Sequence, residues 1–362
     1  MESMMRGARA IWRRTAGAGA AAALFLIAAG PAGAADAIGA PDQPLRFAAL
    51  GDMPYLGWSE DGGSVVDDSQ GRVLVRQIIP AVKAAQPAFT LHYGDLKGGS
   101  ASCTDALLAE RLAQIRAIQP GRTIFTPGDN DWTDCDRDGL AQPMSELERL
   151  DRLRALAYRQ EEAGAALKPS RQPLYPENAR FRAGPAIVAS LHVVGTNNGR
   201  HQILRDDKRA ALAQVDARDA ANEVWLAAAF DEAAAADADF VVLVFQADIF
   251  KRQGARCTAL SREACDGHAW LRDVLKAKAS VFDGLVLAIH GDTDDHCLDR
   301  PIDGAENFWR LNGPGDRWET AGGAVGGGLL DAVEVTLTPG ERPSIAARYL
   351  LANEPPPSSC GP

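Results

Sequence analysis

Residues 125–132 read Phe-Thr-Pro-Gly-Asp-Asn-Asp-Trp, a strand-like lead-in that reaches a Pro-Gly turn and then a run of polar side chains. Residues 47–52 (Phe-Ala-Ala-Leu-Gly-Asp) and 89–95 (Phe-Thr-Leu-His-Tyr-Gly-Asp) have the same form, and so does Leu-Val-Leu-Ala-Ile-His-Gly-Asp at residues 285–292. Ligand sites in open α/β sheets lie at the carboxyl ends of strands, so we predict that the acids of these stretches meet at one sheet edge. They are Asp52, Asp95, Asp129 and Asp292.

Helical patterns separate the first three strands. Residues 73–86 carry apolar side chains at helical intervals, and residues 105–119 form a second amphipathic stretch that ends at Pro-Gly. The order β-α-β-α-β implies parallel strands joined by right-handed crossovers, and hence an α/β fold. The proline-rich residues 164–180 are predicted to be irregular, and residues 330–351 are predicted to form a closing hairpin.

The N-terminus has the layout of a signal peptide. Arginines precede an apolar run at residues 20–29, and Ala-Gly-Ala at 32–34 fits a small-residue cleavage site. The run is too short for a permanent anchor, although an uncleaved anchor is the alternative. We expect a periplasmic or secreted protein with no stable membrane anchor after cleavage. The predicted segments are a signal peptide (1–34), a mobile lead-in (35–44), one domain (45–354) and a C-terminal tail (355–362).

The composition is acidic, with 48 Asp and Glu against 38 Lys and Arg and a formal net charge of −10. No basic run is visible, which argues against nucleic acid as a partner. All six cysteines follow the predicted cleavage site, and an even count in an exported chain indicates disulfides rather than zinc. Among the fifteen possible connectivities we predict Cys103–Cys135, Cys257–Cys265 and Cys297–Cys360.

The order of these stretches resembles that of the calcineurin-like metallophosphoesterases. That family has five strand-end blocks, Asp-x-His, Gly-Asp, Gly-Asn-His, a lone His and Gly-His-x-His, which hold two metal ions against a phosphoester. Over roughly residues 45–350 the corresponding blocks are Gly51-Asp52-Met53-Pro54, Gly94-Asp95, Gly128-Asp129-Asn130-Asp131, Gln246 and Gly291-Asp292-Thr293-Asp294. The resemblance implies two packed β-sheets flanked by helices, and a small phosphoester substrate.

The departures from the family pattern replace imidazole by carboxylate and amide. Pro54, Asn130 and Gln246 stand where the family has histidine, and so do both acids of the fifth block. Oxygen-rich sites favour Mg, Mn or Ca over Zn. The metal ligands that the resemblance implies are Asp52, Asp95, Asp129, Gln246, Asp292 and Asp294.

Further roles are assigned by the same resemblance. Asn130 is expected to position a phosphate oxygen, while His290 or His296 is expected to give the leaving group its proton. The alternative for these histidines is a hydrogen-bonded strand end and a surface loop. Asp131, in the third block, and Asn197, after the strand predicted at residues 186–194, are further site candidates.

Two functions from different classes remain open. The block order favours an exported metal-dependent phosphoesterase, and the missing histidines favour a catalytically weak or inactive binding module of the cell envelope. Converging carboxylates repel one another without a cation. Lys97, two residues past Asp95, is a candidate counter-ion, and in that case the pocket holds one metal or none.

Overall fold

Two β-sheets packed face to face form the centre of this computed structural model. The structure describes residues 38–58, 65–160, 164–251, 254–293, 295–319 and 325–360, so the predicted signal peptide and Asp294 lie outside the described residues. The strands are β1 Leu45–Leu50, β2 Gly57–Trp58, β3 Val65–Asp67, β4 Thr90–His92, β5 Thr123–Phe125, β6 Ser170–Gln172, β7 Tyr175–Ala183, β8 Ala186–Ser190, β9 Phe240–Val244, β10 Leu285–His290, β11 Cys297–Asp299, β12 Phe308–Asn312, β13 Arg317–Glu319, β14 Val325–Gly327, β15 Val333–Thr338 and β16 Ser344–Tyr349. The helices are α1 Ser69–Val73, α2 Ile79–Ala85, α3 Asp105–Ile118, α4 Glu146–Arg154, the single turn α5 Gly195–Gly199, α6 Lys208–Ala235 and α7 Ala269–Ala279.

Shorter helical turns complete the element order. A π turn, Leu74–Ile78, joins α1 to α2, and a second, Ala155–Gln160, continues α4. Two 3₁₀ turns lie at Thr133–Asp136 and Ala165–Leu167. Within the described ranges, no helix is both long and apolar enough to cross a membrane.

The first sheet has the strand order β16-β15-β1-β4-β5. Strands β1, β4 and β5 are parallel, as the predicted β-α-β-α-β order requires. Strands β15 and β16 form the predicted closing hairpin, and β15 pairs antiparallel with β1. The chain therefore returns from its C-terminal part to the side of its first strand.

The second sheet has the order β11-β12-β10-β9-β8-β7-β6, with β8, β9, β10 and β12 parallel. The prediction that residues 164–180 are irregular was wrong, because β6 and the start of β7 lie there. The edge strand is β6, which is flanked by Pro169 and Pro173, and Pro176 precedes the part of β7 that pairs with β8, so no proline removes a ladder hydrogen bond to β8.

Successive side chains of each strand point to opposite faces of its sheet, and this alternation forms the layers of the fold. On β1, Phe47 and Ala49 face the second sheet, whereas Ala48 and Leu50 pack against the helices on the outside. The Phe47 ring stacks on Phe89 with centroids 5.0 Å apart. Full burial of one such side chain contributes roughly 1.5–3 kcal/mol. A second outer layer, from α6 and α7, covers the other sheet. The predicted α-β-β-α arrangement is thus confirmed.

The ends of the described unit are tied to the sheets. The three disulfides join the predicted partners, Cys103–Cys135, Cys257–Cys265 and Cys297–Cys360. Ile38, in the predicted lead-in, forms a β-bridge with Ala183. In the tail, the carbonyl of Pro357 accepts the Leu298 N–H at 2.8 Å.

The pairing register of the parallel strands places their carboxyl ends side by side within each sheet. Leu50 of β1 pairs with His92 of β4, and His92 pairs with Phe125 of β5. In the other sheet Val244 of β9 pairs with Ile289 of β10. Since these strands are parallel within each sheet, the polar residues that follow them leave at a common edge.

Candidate active site

The four acids predicted to meet do so around one cleft of about 520 Å³. Asp95, Asp129 and Asp292 line it, and Asp52 lies against Asp292, whose N–H it accepts at 3.2 Å. We call this the acidic cleft. Its described lining residues are Tyr55, Asp95, Gly98, Gly99, Ser100, Asp129, Asn130, Asp134, Arg137, Asp292, Asp316 and Trp318.

The Gly-Asp pairs are explained by the backbone at the strand ends. Asp52, Asp95 and Asp292 have φ values of 47°, 57° and 64°, a left-handed conformation that asparagine and aspartate adopt more readily than other non-glycine residues. A Cβ on Gly291 would lie 1.6 Å from Oδ2 of Asp52, and one on Gly128 would lie 1.9 Å from Oδ1 of Asp95. Each glycine therefore lets a carboxylate from another strand end lie against the backbone.

The Gln246 amide lies between Asp95 and Asp129, and the Asn130 amide contacts Asp95. Gln246 Nε2 donates to Asp129 Oδ1 at 3.0 Å and to Asp95 Oδ2 at 3.3 Å, while its Oε1 accepts the Gly195 N–H at 2.7 Å. Asn130 Nδ2 donates to Asp95 Oδ2 at 2.7 Å. The oxygen of Gln246 is therefore turned away from the carboxylates and faces a backbone donor, so it is not offered as a metal ligand in this arrangement.

A left-handed turn, α5, forms the wall beside Asp129. Thr196 donates from Oγ1 to Asp129 Oδ2 at 2.7 Å. A Cβ on Gly195 would lie 2.4 Å from the same Oδ2 and 2.7 Å from Oδ1 of Asp292, so only glycine leaves room for both acids. Asn197 does not reach the cleft, because its side chain bonds the Cys265 carbonyl at 3.1 Å and the Gly267 N–H at 2.9 Å.

Asp131 has a positioning role. Its Oδ2 accepts the N–H groups of Gly128 and Asp95 at 2.8 and 3.0 Å, and its Oδ1 accepts the Leu96 N–H at 2.8 Å. These bonds hold the second and third blocks together. Lys97 is fully buried nearby and donates to the Gly98 carbonyl at 3.2 Å. Burial lowers the pKa of Lys97, and Asp131, Asp134 and Asp95 oppose that shift.

The structure does not bring the two candidate histidines into the cleft. His290 extends from the face of β10 that points to the outer helices, with its ring 5.9 Å from that of Phe245. His296 packs edge-on against Tyr349 at 5.7 Å. Neither is a lining residue, since alternation along β10 turns His290 away from the inner face and its neighbour Ile289 toward it.

Burial and mutual repulsion dominate the electrostatics. Burial raises the pKa of Asp52, Asp95 and Asp292, and neighbouring carboxylates raise it further: Asp316 acts on the first, and Asp129 on the other two. Burial also raises the pKa of Asp134 to about 7, while Arg137, 2.7 Å from its Oδ2, opposes the shift.

Several cleft residues were not predicted. Tyr55 donates from its hydroxyl to Asp95 Oδ2 at 3.1 Å. Tyr55 and Asp134 follow the first and third blocks within a few residues, so their proximity was a usable signal. Asp316 and Trp318 come more than twenty residues after the fifth block, and no local pattern marks them.

The donor chemistry fits an oxygen-preferring cation, because the acids are buried, close and repulsive. The Gln246 amide bonds both Asp95 and Asp129, and the Asn130 amide bonds Asp95. Among the described residues, the group of three possible metal ligands whose atoms lie within 4.8 Å of one another is Cys297, Asp299 and Cys360, and its two cysteines share a disulfide. The described cleft carboxylates do not form such a group in this arrangement. Direct coordination by three cleft carboxylates would therefore need those carboxylates to close up around the ion.

No protein-family model and no curated protein matches this chain. Among solved structures it is similar to that of Haemophilus influenzae NAD nucleotidase (NadN), with 12% sequence identity and a TM-score of 0.38. The matched region covers 84% of this chain and 49% of the nucleotidase, so the chain spans about half the length of that structure. At this distance the likeness carries no information about activity.

Proposed function

We propose that this chain is an exported phosphoesterase whose carboxylates hold a divalent cation, Mg, Mn or Ca, beside a small phosphoester. The carrying observation is that acids as distant in sequence as Asp52 and Asp292 meet at one cleft. A divalent cation offsets the repulsion among these buried carboxylates. The layout of residues 1–34 and the three disulfides support export.

The lining side chains have different roles around a bound substrate. The bound cation would supply charge stabilisation at the phosphoryl oxygens. Arg137 is the basic side chain among the described lining residues, so it is positioned to bind an anionic oxygen. Asn130 orients Asp95 through its hydrogen bond. Asp134 lines the cleft and takes the proton-donor role that the resemblance assigned to a histidine.

A second candidate is a binding module on the same fold. It is favoured by the Gln246 and Asn130 amides, which already satisfy Asp95 and Asp129 without an ion. None of the described lining residues is a histidine. In this alternative the cleft recognises a small polar ligand and performs no chemistry.

The deciding experiment crosses metals with substrates. The purified protein is analysed for bound metal, and its melting temperature is measured with Mg, Mn, Ca and Zn, since an ion bound by the native state raises its stability. Hydrolysis of p-nitrophenyl phosphate and bis(p-nitrophenyl) phosphate is then followed with each metal. The phosphoesterase predicts stabilisation by Mg, Mn or Ca and metal-dependent turnover of at least one ester.

Asp95→Asn tests the site itself. Asparagine fits the left-handed φ of 57° and removes one charge at constant size, and circular dichroism checks that the variant is folded. Turnover is expected to fall by at least a hundredfold, about the loss of one strong transition-state contact. Asp231→Asn, at an exposed position on α6, is the matched control. Absence of metal stabilisation and of turnover on both esters would reject the enzyme and leave the binding module.

A further inference from the structure

An exposed indole stands at the rim of the acidic cleft. Trp318, on β13, lines the cleft and keeps 46% of its surface exposed. One face of the ring rests on Gly326, its cross-strand partner on β14, where a Cβ would lie 2.2 Å from ring atom Cζ2. The ring thus lies against the Gly326 backbone and still keeps nearly half of its surface exposed at the cleft. Leaving this much apolar surface in water is unfavourable.

The strand that carries Trp318 is fixed to the site. Asp316, two residues earlier, donates its N–H to the Asp52 carbonyl at 2.9 Å. Gln70 accepts the Tyr55 N–H at 2.8 Å through its side-chain oxygen and donates to the Arg317 carbonyl. The ring therefore has a set position relative to the carboxylates, and a ligand bound there meets a pre-organised surface.

The cleft is larger than a phosphoryl group needs. Its volume of about 520 Å³ lies within the range of roughly 300–1,000 Å³ that holds small organic ligands. Its charged residues, the acids and Arg137, suit one end of a ligand, and Trp318 supplies an apolar plane for the rest. Flat rings are the groups that stack most favourably on an indole face.

From this geometry, and resting on the proposed phosphoesterase function, we infer that the substrate carries a flat ring which stacks on Trp318. The ring is an aryl group or a nucleobase, and its phosphoryl group lies at the carboxylates beside Arg137. Trp318 then selects ring-bearing esters through binding and takes no part in bond breaking. Loss of the Trp318 ring should therefore raise KM and leave kcat unchanged.

A structural role for Trp318 makes a different prediction. An aromatic side chain over a cross-strand glycine can stabilise a hairpin by itself. Trp318→Leu keeps an apolar cover over Gly326 but loses the ring, and Trp318→Phe keeps a ring. If Trp318 only supports the hairpin, both variants affect every substrate alike.

The test compares substrates that differ by the ring alone. Adenosine 5′-monophosphate and ribose 5-phosphate share the sugar phosphate, and phenyl phosphate tells an aryl from a nucleobase preference. We expect Trp318→Leu to raise KM for the ring-bearing esters by about 5- to 150-fold, the size of one base–aromatic stacking contact, with kcat unchanged. Ribose 5-phosphate should be unaffected, and Trp318→Phe should stay close to the wild type. Leu260→Ala, a fully exposed apolar position outside the lining, is the control.

The outcomes separate the two proposals. Turnover with equal loss on all substrates, or with no change in Trp318→Leu, overturns the ring site and leaves the phosphoesterase intact. If no ester is hydrolysed, calorimetry with adenosine 5′-monophosphate decides. Binding that weakens in Trp318→Leu supports the ring site while the enzyme fails, and absence of binding overturns both.

Discussion

Nε2 of Gln246 lies 3.0 Å from Oδ1 of Asp129, although 117 positions separate the two residues in the chain. The oxygen of the same amide accepts the Gly195 N–H at 2.7 Å, which fixes the end that faces the acids. A neutral donor thus faces the two carboxylates. The stability of the acid cluster depends on this amide.

Gln246→Glu should destabilise the protein unless a divalent cation is present. The change replaces two donated hydrogen bonds by a further buried carboxylate, so we expect a loss of about 2–5 kcal/mol in chelator. Denaturant unfolding at pH 7 measures it, and added Mn²⁺ should recover part of the loss. Gln214→Glu, an exposed change of the same chemistry on α6, should have little effect. Equal losses in the two variants would contradict this account of Gln246.

Gly195→Ala should damage the site more than the fold. The new Cβ would stand 2.4 Å from Asp129 Oδ2 and push Asp129 and Asp292 apart. Overpacking of this kind costs roughly 1–3 kcal/mol. Stabilisation by divalent ions, measured by thermal shift, should be largely lost. Gly139→Ala is the matched control, because a Cβ there meets nothing within 4 Å. Undiminished ion binding in Gly195→Ala would show that these acids do not act together.

Removing Cys103–Cys135 should cost more stability than removing Cys257–Cys265. The first closes a separation of 32 residues and the second one of 8, and a longer loop loses more entropy when it is cross-linked. The expected losses are about 4 and about 2.5 kcal/mol. Paired serine variants, compared by denaturant midpoint, give the measurement. The reverse ranking would mean that strain or residual structure outweighs loop length.

Buried histidines should lower the free energy of unfolding as the pH falls from about 6.5 to 4, whereas the raised pKa values of the cleft carboxylates act in the opposite direction. Burial lowers the pKa of His268 to about 4, although its hydrogen bond to the Val194 carbonyl and the nearby Asp266 oppose the shift. The unfolded state therefore takes up a proton near pH 6.5 that the folded state does not, and the contribution of His268 to stability falls as pH falls through this window. One such histidine accounts for up to about 1.4 kcal/mol per pH unit.

His268→Gln removes the titrating imidazole, so it should reduce this slope by close to one proton. Glutamine can still donate to the Val194 carbonyl, which keeps the native hydrogen bond. Unfolding free energies at several pH values measure the slope. His201→Gln, at a half-exposed position, is the control substitution. An unaltered slope in His268→Gln would mean that other groups carry the acid sensitivity.

The sequence alone determined the features that depend on short-range pattern. The β-α-β-α-β order predicted the parallel strands, the family resemblance supplied the two packed sheets, and the Gly-Asp stops marked the four acids that meet. It also gave the cysteine partners. It failed at residues 164–180, where the prolines suggested irregular chain but lie beside β6 or before the part of β7 that pairs with β8.

Only the tertiary structure decided which side chains face the cleft and what they touch. The Gly195 N–H sets the orientation of Gln246, and alternation on β10 turns His290 toward the helices. The hydrogen bond from Asp316 to the Asp52 carbonyl brings Trp318 to the rim. Each of these depends on a partner far away in the chain, whereas a sequence pattern records only the local conformations that neighbouring residues impose.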